Sequence, residues 1–288
     1  LKYVLLLGDS SYDPRNFTGF DQGVPLPAMW VKTSYLWTVS DPAYGAVNGE
    51  DLLPDVAIGR LPAKTLEEAQ ALIQKVLEWE DGGQDLGGQA VLVADNPDPA
   101  GDFEADVLDI QASFLADRPT RTLFLRELGG TTRGEILASF DEGASLMDYV
   151  GHGGPAVWAT ENVLNSWDVG GLLAQTRQPL MLTFTCLSGY FLTSNYDALS
   201  EAFLKVEGRG TIGAVSPSGM SLDAPAHRFH RAFMAEITSG GHERLGDAVL
   251  AAQAAYAEEG VMPELLAIYH LLADPTLPLA LDNTIFPR

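Results

Sequence analysis

The sequence holds a single cysteine, so no internal disulfide can brace the fold. It is also poor in positive charge: 17 Lys and Arg stand against 39 Asp and Glu, a formal net charge of −22. That balance excludes binding to a nucleic-acid backbone, which requires a basic face. It equally disfavours an anionic membrane surface. No apolar run reaches the roughly 18 residues of a membrane-spanning helix. No secretory signal pattern opens the chain. Nor is there an initiator Met. The chain begins inside the apolar run Leu1–Leu7 and reads as a piece of a longer polypeptide carrying further domains.

Apolar residues are plentiful, at 46% against 19% charged, so the chain can build a sizeable core. Its 288 residues fit one large domain or two small ones, at roughly 100–200 residues each. Short apolar runs bounded by Gly, Pro, Asp or Asn predict strands at Tyr3–Leu7, Val56–Gly59, Ala90–Ala94, Thr122–Arg126, Ser145–Val150, Leu180–Thr185 and Gly210–Val215. The runs are continuous rather than alternating, which suits strands covered on both faces. Helices are expected between them, at Thr65–Asp81, Phe103–Ala116, Thr132–Phe140, Ala198–Lys205, Pro225–Thr238 and Glu243–Glu258. Thr65 reads as the N-cap of the first, with Glu67 and Glu68 in its first turn. The fold class is therefore α/β, a mostly parallel sheet with helices on both faces. The stretch 10–50 reads as a long functional loop. Gly82–Gly88 reads as a seam dividing an N-terminal part, 1–82, truncated at its start, from a main subdomain, 83–288.

Sites in such sheets gather at the carboxyl ends of strands, and four ends carry polar residues. After the first strand come Gly8, Asp9, Ser10 and Ser11. Ser10 could be the nucleophile of an esterase-like enzyme, but the required Asp-x-x-His is missing, and a turn with backbone caps is the plainer reading. After Ser145–Val150 comes Gly151-His152-Gly153. A histidine between glycines is unusual in a core, and those glycines let the chain bend and a ligand approach; a satisfied loop histidine is the alternative. After Leu180–Thr185 comes Cys186, where the apolar run stops and small polar residues begin. A lone Cys is most often a small buried hydrophobe, but a parallel crossover of this length would set Cys186 beside His152, and a thiol needs such a base to form thiolate. The fourth end, Ala214–Gly219, includes Ser216 and could wall a pocket or simply turn the chain. His227 and His230 lie three apart on a helix without a recognisable third metal ligand, which favours a packed or solvated face.

His-Gly after one strand and Cys after the next is the pattern of caspase-like cysteine peptidases. The sequence resembles the gingipain family, peptidase family C25. Ser40–Gly45, Gly49-Glu50-Asp51 and Pro54–Pro62 resemble the family's segment ahead of its first long helix, Tyr149–Gly153 its histidine motif, Cys186–Phe191 its cysteine motif and Ala273–Pro278 its closing stretch. Departures are Leu187 and Ser188, where Asn-rich residues are usual, and Ala273, where Gly is usual. The resemblance implies a caspase-like three-layer sandwich and a cysteine endopeptidase acting on protein or peptide substrates, with Cys186 as nucleophile, His152 as proton shuttle and the Gly153 and Cys186 N–H groups as oxyanion hole. It places an acidic orienter in the segment of Asp41; Asp148 and Glu161 are nearer His152 in sequence. Cleavage after Arg or Lys is implied, with Asp51 and Asp223 as candidate substrate-binding acids and Ser216 in the pocket wall. No cofactor is needed for catalysis. Structural Ca²⁺ is implied, without EF-hand spacing to support it. The expected setting is extracellular or cell-surface. The alternatives are a transpeptidase of a secretion system and a catalytically silent binding module of a larger secreted protein.

Overall fold

Along each central strand, successive apolar side chains enter two different cores. On one strand Ala90, Leu92 and Ala94 join the first core while Val91 and Val93 join the second; on another Leu146 and Val150 face one way and Met147 and Tyr149 the other. This period of two, with both faces buried, is what a sheet sandwiched between helices requires. The computed structural model describes residues 1–20, 26–49, 51–82 and 86–279. The expected seam includes residues 83–85 and the Gly49-Glu50-Asp51 motif includes Glu50; these lie outside the described residues.

The main sheet has six strands. They are β5 (Ala90–Ala94), β6 (Thr120–Phe124), β7 (Leu146–Val150), β11 (Leu180–Phe184), β12 (Gly213–Pro217) and β13 (Tyr269–Leu272), in the order β13-β12-β11-β7-β5-β6. All neighbours run parallel except β13, which is antiparallel to β12. One core seats Phe103 and Val107 of α3 (Phe103–Phe114), Phe229 and Phe233 of α7 (Asp223–Thr238) and Val249 of α8 (Leu245–Glu258) against the sheet. The other seats Leu72 of α2 (Leu66–Asp81), Ile136 and Phe140 of α5 (Thr132–Asp141) and Phe203 of α6 (Leu199–Lys205). Thr65 caps α2 as expected, its side chain accepting from the Glu68 N–H. The α/β class and the layered sandwich stand.

The strands fall close to their expected places, with some ends shifted by two or three residues, as at Thr120–Phe124 and Gly213–Pro217. The stretch 10–50 is not all loop. It contains an antiparallel hairpin, β2 (Met29–Lys32) with β3 (Trp37–Ser40), and the single turn α1 (Pro42–Gly45). β2 is mostly exposed and β3 is the short alternation Trp37-Thr38-Val39-Ser40, so neither gives the long buried apolar run that marks the central strands. A two-stranded parallel sheet, β1 (Tyr3–Leu7) with β4 (Ala57–Leu61), docks on the end of β13. A Cβ on Gly59 would lie 2.3 Å from the Ala273 carbonyl oxygen, so glycine is needed for that approach. The Ala273–Pro278 stretch is thus a structural clasp: Asp274 accepts from the Thr276 N–H at 2.7 Å within it. After His152 comes a small antiparallel sheet of β8 (Gly153–Gly154), β9 (Val157–Trp158) and β10 (Leu164–Asn165).

Candidate active site

Strands β7 and β11 pair in parallel with Phe184 opposite Val150, so Cys186 and His152, two residues further on, leave the sheet side by side. The Gly151 N–H still reaches the Phe184 carbonyl at 3.4 Å, and then the chain turns sharply: Gly151 has φ +155°, and a Cβ there would sit 2.3 Å from Asp95 Cβ. Gly153 lies directly against the cysteine loop, where a Cβ would meet Thr185 Oγ1 at 2.5 Å and the Cys186 oxygen at 3.3 Å. The two glycines around the histidine therefore serve the turn and the close approach.

His152 is held from several sides. Its N–H donates to Asp95 Oδ2 at 3.0 Å, and its carbonyl accepts from the Tyr149 hydroxyl at 2.6 Å. Its ring meets Phe103 edge-on, with centroids 5.3 Å apart. Its Nε2 lies 2.9 Å from Asp98 Oδ2, with 43% of the side chain exposed. A carboxylate on Nε2 fixes the proton there and leaves Nδ1 as the basic nitrogen. The hydrogen bond to His152, with the Ala100 N–H behind it, holds the Asp98 carboxyl below its ordinary range. Burial pushes the Asp95 carboxyl up, opposed by the N–H groups of Asn96 and His152.

Cys186 is partly buried, and its sulfur rests on the backbone of Ser221: the Ser221 N–H points at Sγ from 3.5 Å, and the thiol reaches the Ser221 oxygen at 3.6 Å. Burial raises the thiol pKa, only partly offset by that N–H. Among the described residues no hydrogen bond joins Cys186 to His152. In unliganded enzymes such contacts commonly tighten only when substrate binds. Leu187, next in the chain, takes the left-handed backbone with φ +61°. A branched side chain adopts that conformation only where its surroundings enforce it; here the Leu187 N–H is tied to the Gly219 oxygen at 3.1 Å.

The acid on His152 is not the expected one. Asp41 is almost wholly buried and forms a two-pronged pair with Arg60, Nε to Oδ2 at 2.6 Å and Nη2 to Oδ1 at 2.7 Å, with His270 3.7 Å away. Burial alone would push this carboxyl up, but the Arg60 hydrogen bonds, helped by His270, outweigh it and hold it low. Asp41 thus ties the hairpin region to β4 and is replaced by Asp98 at the imidazole. Asp98 was missed because its segment, Asp95-Asn96-Pro97-Asp98, follows β5, and only the strand order brings β5 beside β7. An Asp-rich turn after a strand was the available signal. Asp148 is fully buried and lies 2.9 Å from His230 Nε2, on the helix-covered face shared with α7. Glu161 is exposed and accepts from Asn96 Nδ2 at 3.3 Å.

Of the expected substrate-binding residues, Asp223 alone is brought to the site. Its carboxyl lies where a Gly101 Cβ would be, 2.2 Å away, beside Asp106, Asp102 and Asp98. Burial, and then the neighbouring Asp223 charge, push the Asp106 carboxyl up to about 7, so Asp106 and Asp223 share a proton near neutrality. Asp51 is exposed and, among the described residues, accepts from the Leu53 N–H in its own turn, at 3.1 Å. Ser216 is fully buried, its hydroxyl within 2.6 Å of Thr183 Oγ1 and 2.7 Å of Ser200 Oγ, so it belongs to the core and not to a pocket wall. His227 lies 3.1 Å from Asp109 and 3.5 Å from Asp106, a packed helix face and not a metal site. Ser10 is buried, with its N–H on Asp9 Oδ1 at 2.7 Å, which is the plain capping role.

Among the described residues, one acidic group is tight enough for a cation: Asp9, Asp197 and Glu201, with oxygens within 4.8 Å of one another. It does not fit Ca²⁺. The Lys205 ammonium lies 3.2, 3.0 and 3.3 Å from those three acids, and Lys64 lies 2.8 Å from Asp197. The cations the acids need are built in.

Residues 1–280 match the model of peptidase family C25. Gingipain R2 of Porphyromonas gingivalis is 27% identical over 217 residues, covering 73% of this chain and 27% of the relative. Gingipain R1 of the same organism is 26% identical over 217 residues, covering 20% of that protein, so the chain spans about a quarter of these relatives' lengths or less. The crystal structure of the Arg-specific cysteine proteinase gingipain R superposes with a TM-score of 0.79 at 22% identity, over 96% of this chain and 64% of that one. The separase of a Saccharomyces cerevisiae separase–securin complex superposes with a TM-score of 0.52 at 15% identity, over 78% of this chain and 14% of that one. No helix among the described residues is long and apolar enough to cross a membrane. With a caspase-like sandwich and a family match over nearly its whole length, the chain belongs to peptidase family C25, the gingipain family of cysteine peptidases.

Proposed function

We propose that this chain is the catalytic unit of a cysteine endopeptidase in which Cys186 and His152 form the reacting pair. The observation that carries this reading is the pairing of β7 with β11, which sets the two residues side by side, with Asp98 on the far nitrogen of the imidazole. Substrate binding turns Sγ away from Ser221 toward His152 Nδ1. The thiol proton passes to Nδ1, and the sulfur bonds to the scissile carbonyl carbon. The oxygen takes the negative charge, stabilised by the N–H groups of Gly153 and Cys186. When the C–N bond breaks, the imidazolium gives its proton to the leaving amine. Water, deprotonated by the same imidazole, then releases the acid from the thioester and restores the thiol. Asp98 acts by fixing the tautomer and steadying the imidazolium.

The preferred residue on the acyl side is basic. Asp102 and Asp106 gather around Asp223, at the start of α7, and a guanidinium fits such carboxylates in a fork. The related gingipain R is Arg-specific, which agrees. The proposed setting is extracellular or cell-surface, within a longer polypeptide. The test is hydrolysis of a peptide library followed by sequencing of the products. Cleavage after Arg or Lys, lost in Cys186→Ala and His152→Ala, is the expected result. Transfer of the acyl group to added amines in place of water would assign a transpeptidase instead. No turnover of either kind by the folded protein would overturn the reading.

A further inference from the structure

A cleft of about 550 Å³ opens past the histidine, where β5 and β6 end, and the catalytic steps above make no use of it. One wall is the loop that follows β9, with Glu161 and Val163; the other is the β6–α5 connection, with Arg126, Gly129 and Gly130, together with Arg133 in the first turn of α5; Asn96 stands at the end nearest the catalytic pair. Asn96 follows Asp95, which holds the His152 N–H, and Asn96 Nδ2 donates to Glu161. The cleft is therefore continuous with the site.

In a chain of net charge −22, two arginines in one cleft are conspicuous. Each is anchored at one edge. Arg126 Nη2 bonds to the nearly buried Glu104, and Arg133 Nη2 bonds to the nearly buried Asp168. Neither guanidinium has a further hydrogen-bond partner among the described residues, and their side chains are 65% and 42% exposed. A guanidinium fixed on one side presents its remaining N–H groups in a set direction at low entropic cost. Glu161 is the one carboxylate among the lining residues; its two oxygens are engaged by Thr160 Oγ1 and Asn96 Nδ2. A Cβ on Gly129 or Gly130 would meet nothing, so the space above that turn is open.

The direction of the substrate follows from the chemistry. The imidazole must reach the leaving amine, so the leaving chain lies on the His152 side of Cys186. Along the sheet the order from Cys186 is β11, β7, β5, β6. Two strand spacings beyond His152, about 10 Å, reach the cleft, which is about three residues of extended chain. Resting on the peptidase reading, the geometry points to the Arg126–Arg133 cleft as a subsite for the leaving-group side of the substrate, taking an acidic side chain near its third residue. A substrate would then carry a basic residue before the scissile bond and an acidic one after it.

Two substrate types separate this inference from the peptidase reading. An arginyl amidomethylcoumarin has no residues beyond the scissile bond and reads Cys186 and His152 alone. Internally quenched peptides, identical except for Glu, Ala or Lys at the third position after the bond, read the cleft. The expected kcat/KM is about tenfold higher for Glu than for Lys, the scale of one charge-assisted hydrogen bond. Arg126→Gln/Arg133→Gln should erase that ratio and leave coumarin turnover unchanged, which also shows that the variant is folded. Arg126→Gln with Glu104→Gln repeats the test without leaving a buried carboxylate unpaired. Equal cleavage of the three peptides by the wild type, with normal coumarin turnover, overturns the subsite alone. No cleavage of either type overturns the peptidase reading and the subsite with it.

Discussion

On the proposed mechanism, two aspartates separate catalysis from architecture at the level of single residues. Asp98 touches the imidazole and Asp41 touches Arg60. Asp98→Asn should lower kcat by about 10²-fold, because an amide no longer enforces the tautomer or steadies the imidazolium. Its melting temperature should hardly move, as Asp98 is half exposed. Asp41→Asn should do the reverse. Breaking a buried ion pair costs about 3–5 kcal/mol, so calorimetry should show a lower Tm, while the kcat of the folded fraction stays close to wild type. The acid branch of stability should change as well. The Asp41 carboxyl is held below its ordinary range in the fold, so the pair contributes fully above a pH of about 4, the unfolded value. That contribution is lost as the pH falls through the lower, folded value. Plots of Tm against pH should therefore fall less steeply below about 4 in Asp41→Asn than in the wild type.

Strand pairing, not any single contact, brings the site together. Gly153→Ala tests this, because the new Cβ would overlap Thr185 Oγ1 and crowd the Cys186 oxygen, forcing the ends of β7 and β11 apart. A displacement near 1 Å at reacting groups costs about 10²-fold in rate, so kcat/KM should drop by about that factor with circular dichroism little changed. The same level of organisation explains what could be read from the residues in order. Strands β5, β7 and β11 were legible because both faces of each are covered, which makes their runs almost wholly apolar. Cys186 and His152 were legible because each stands where such a run ends. Asp98 was not, since its nearness to His152 depends on β5 lying beside β7, a matter of strand order. Asp41 was misplaced for the complementary reason: it sits in one motif and its partner Arg60 in another, and no spacing rule says that they pair with each other. Ser216 looked like a strand-end residue, but β12 extends through Pro217, leaving its hydroxyl inside the sheet.

For the molecule as a whole, the acidic excess has two structural uses. Part is neutralised internally, as where Lys64 and Lys205 sit among Asp9, Asp197 and Glu201. Part gathers around Asp223, where Asp106 is pushed up to about 7 by burial and by the Asp223 charge. Raising the pH through about 7 removes the shared proton and makes that cluster more negative, so KM for arginyl substrates should fall over this range. In Asp106→Asn the fall should be absent. The account rests most directly on the one sulfur in the chain. Incubation of the folded protein with an arginyl chloromethyl ketone, followed by mass spectrometry of its peptides, should show a single adduct at Cys186, formed far more slowly in His152→Ala. A folded protein whose Cys186 stays unmodified, or reacts equally fast without His152, would contradict it.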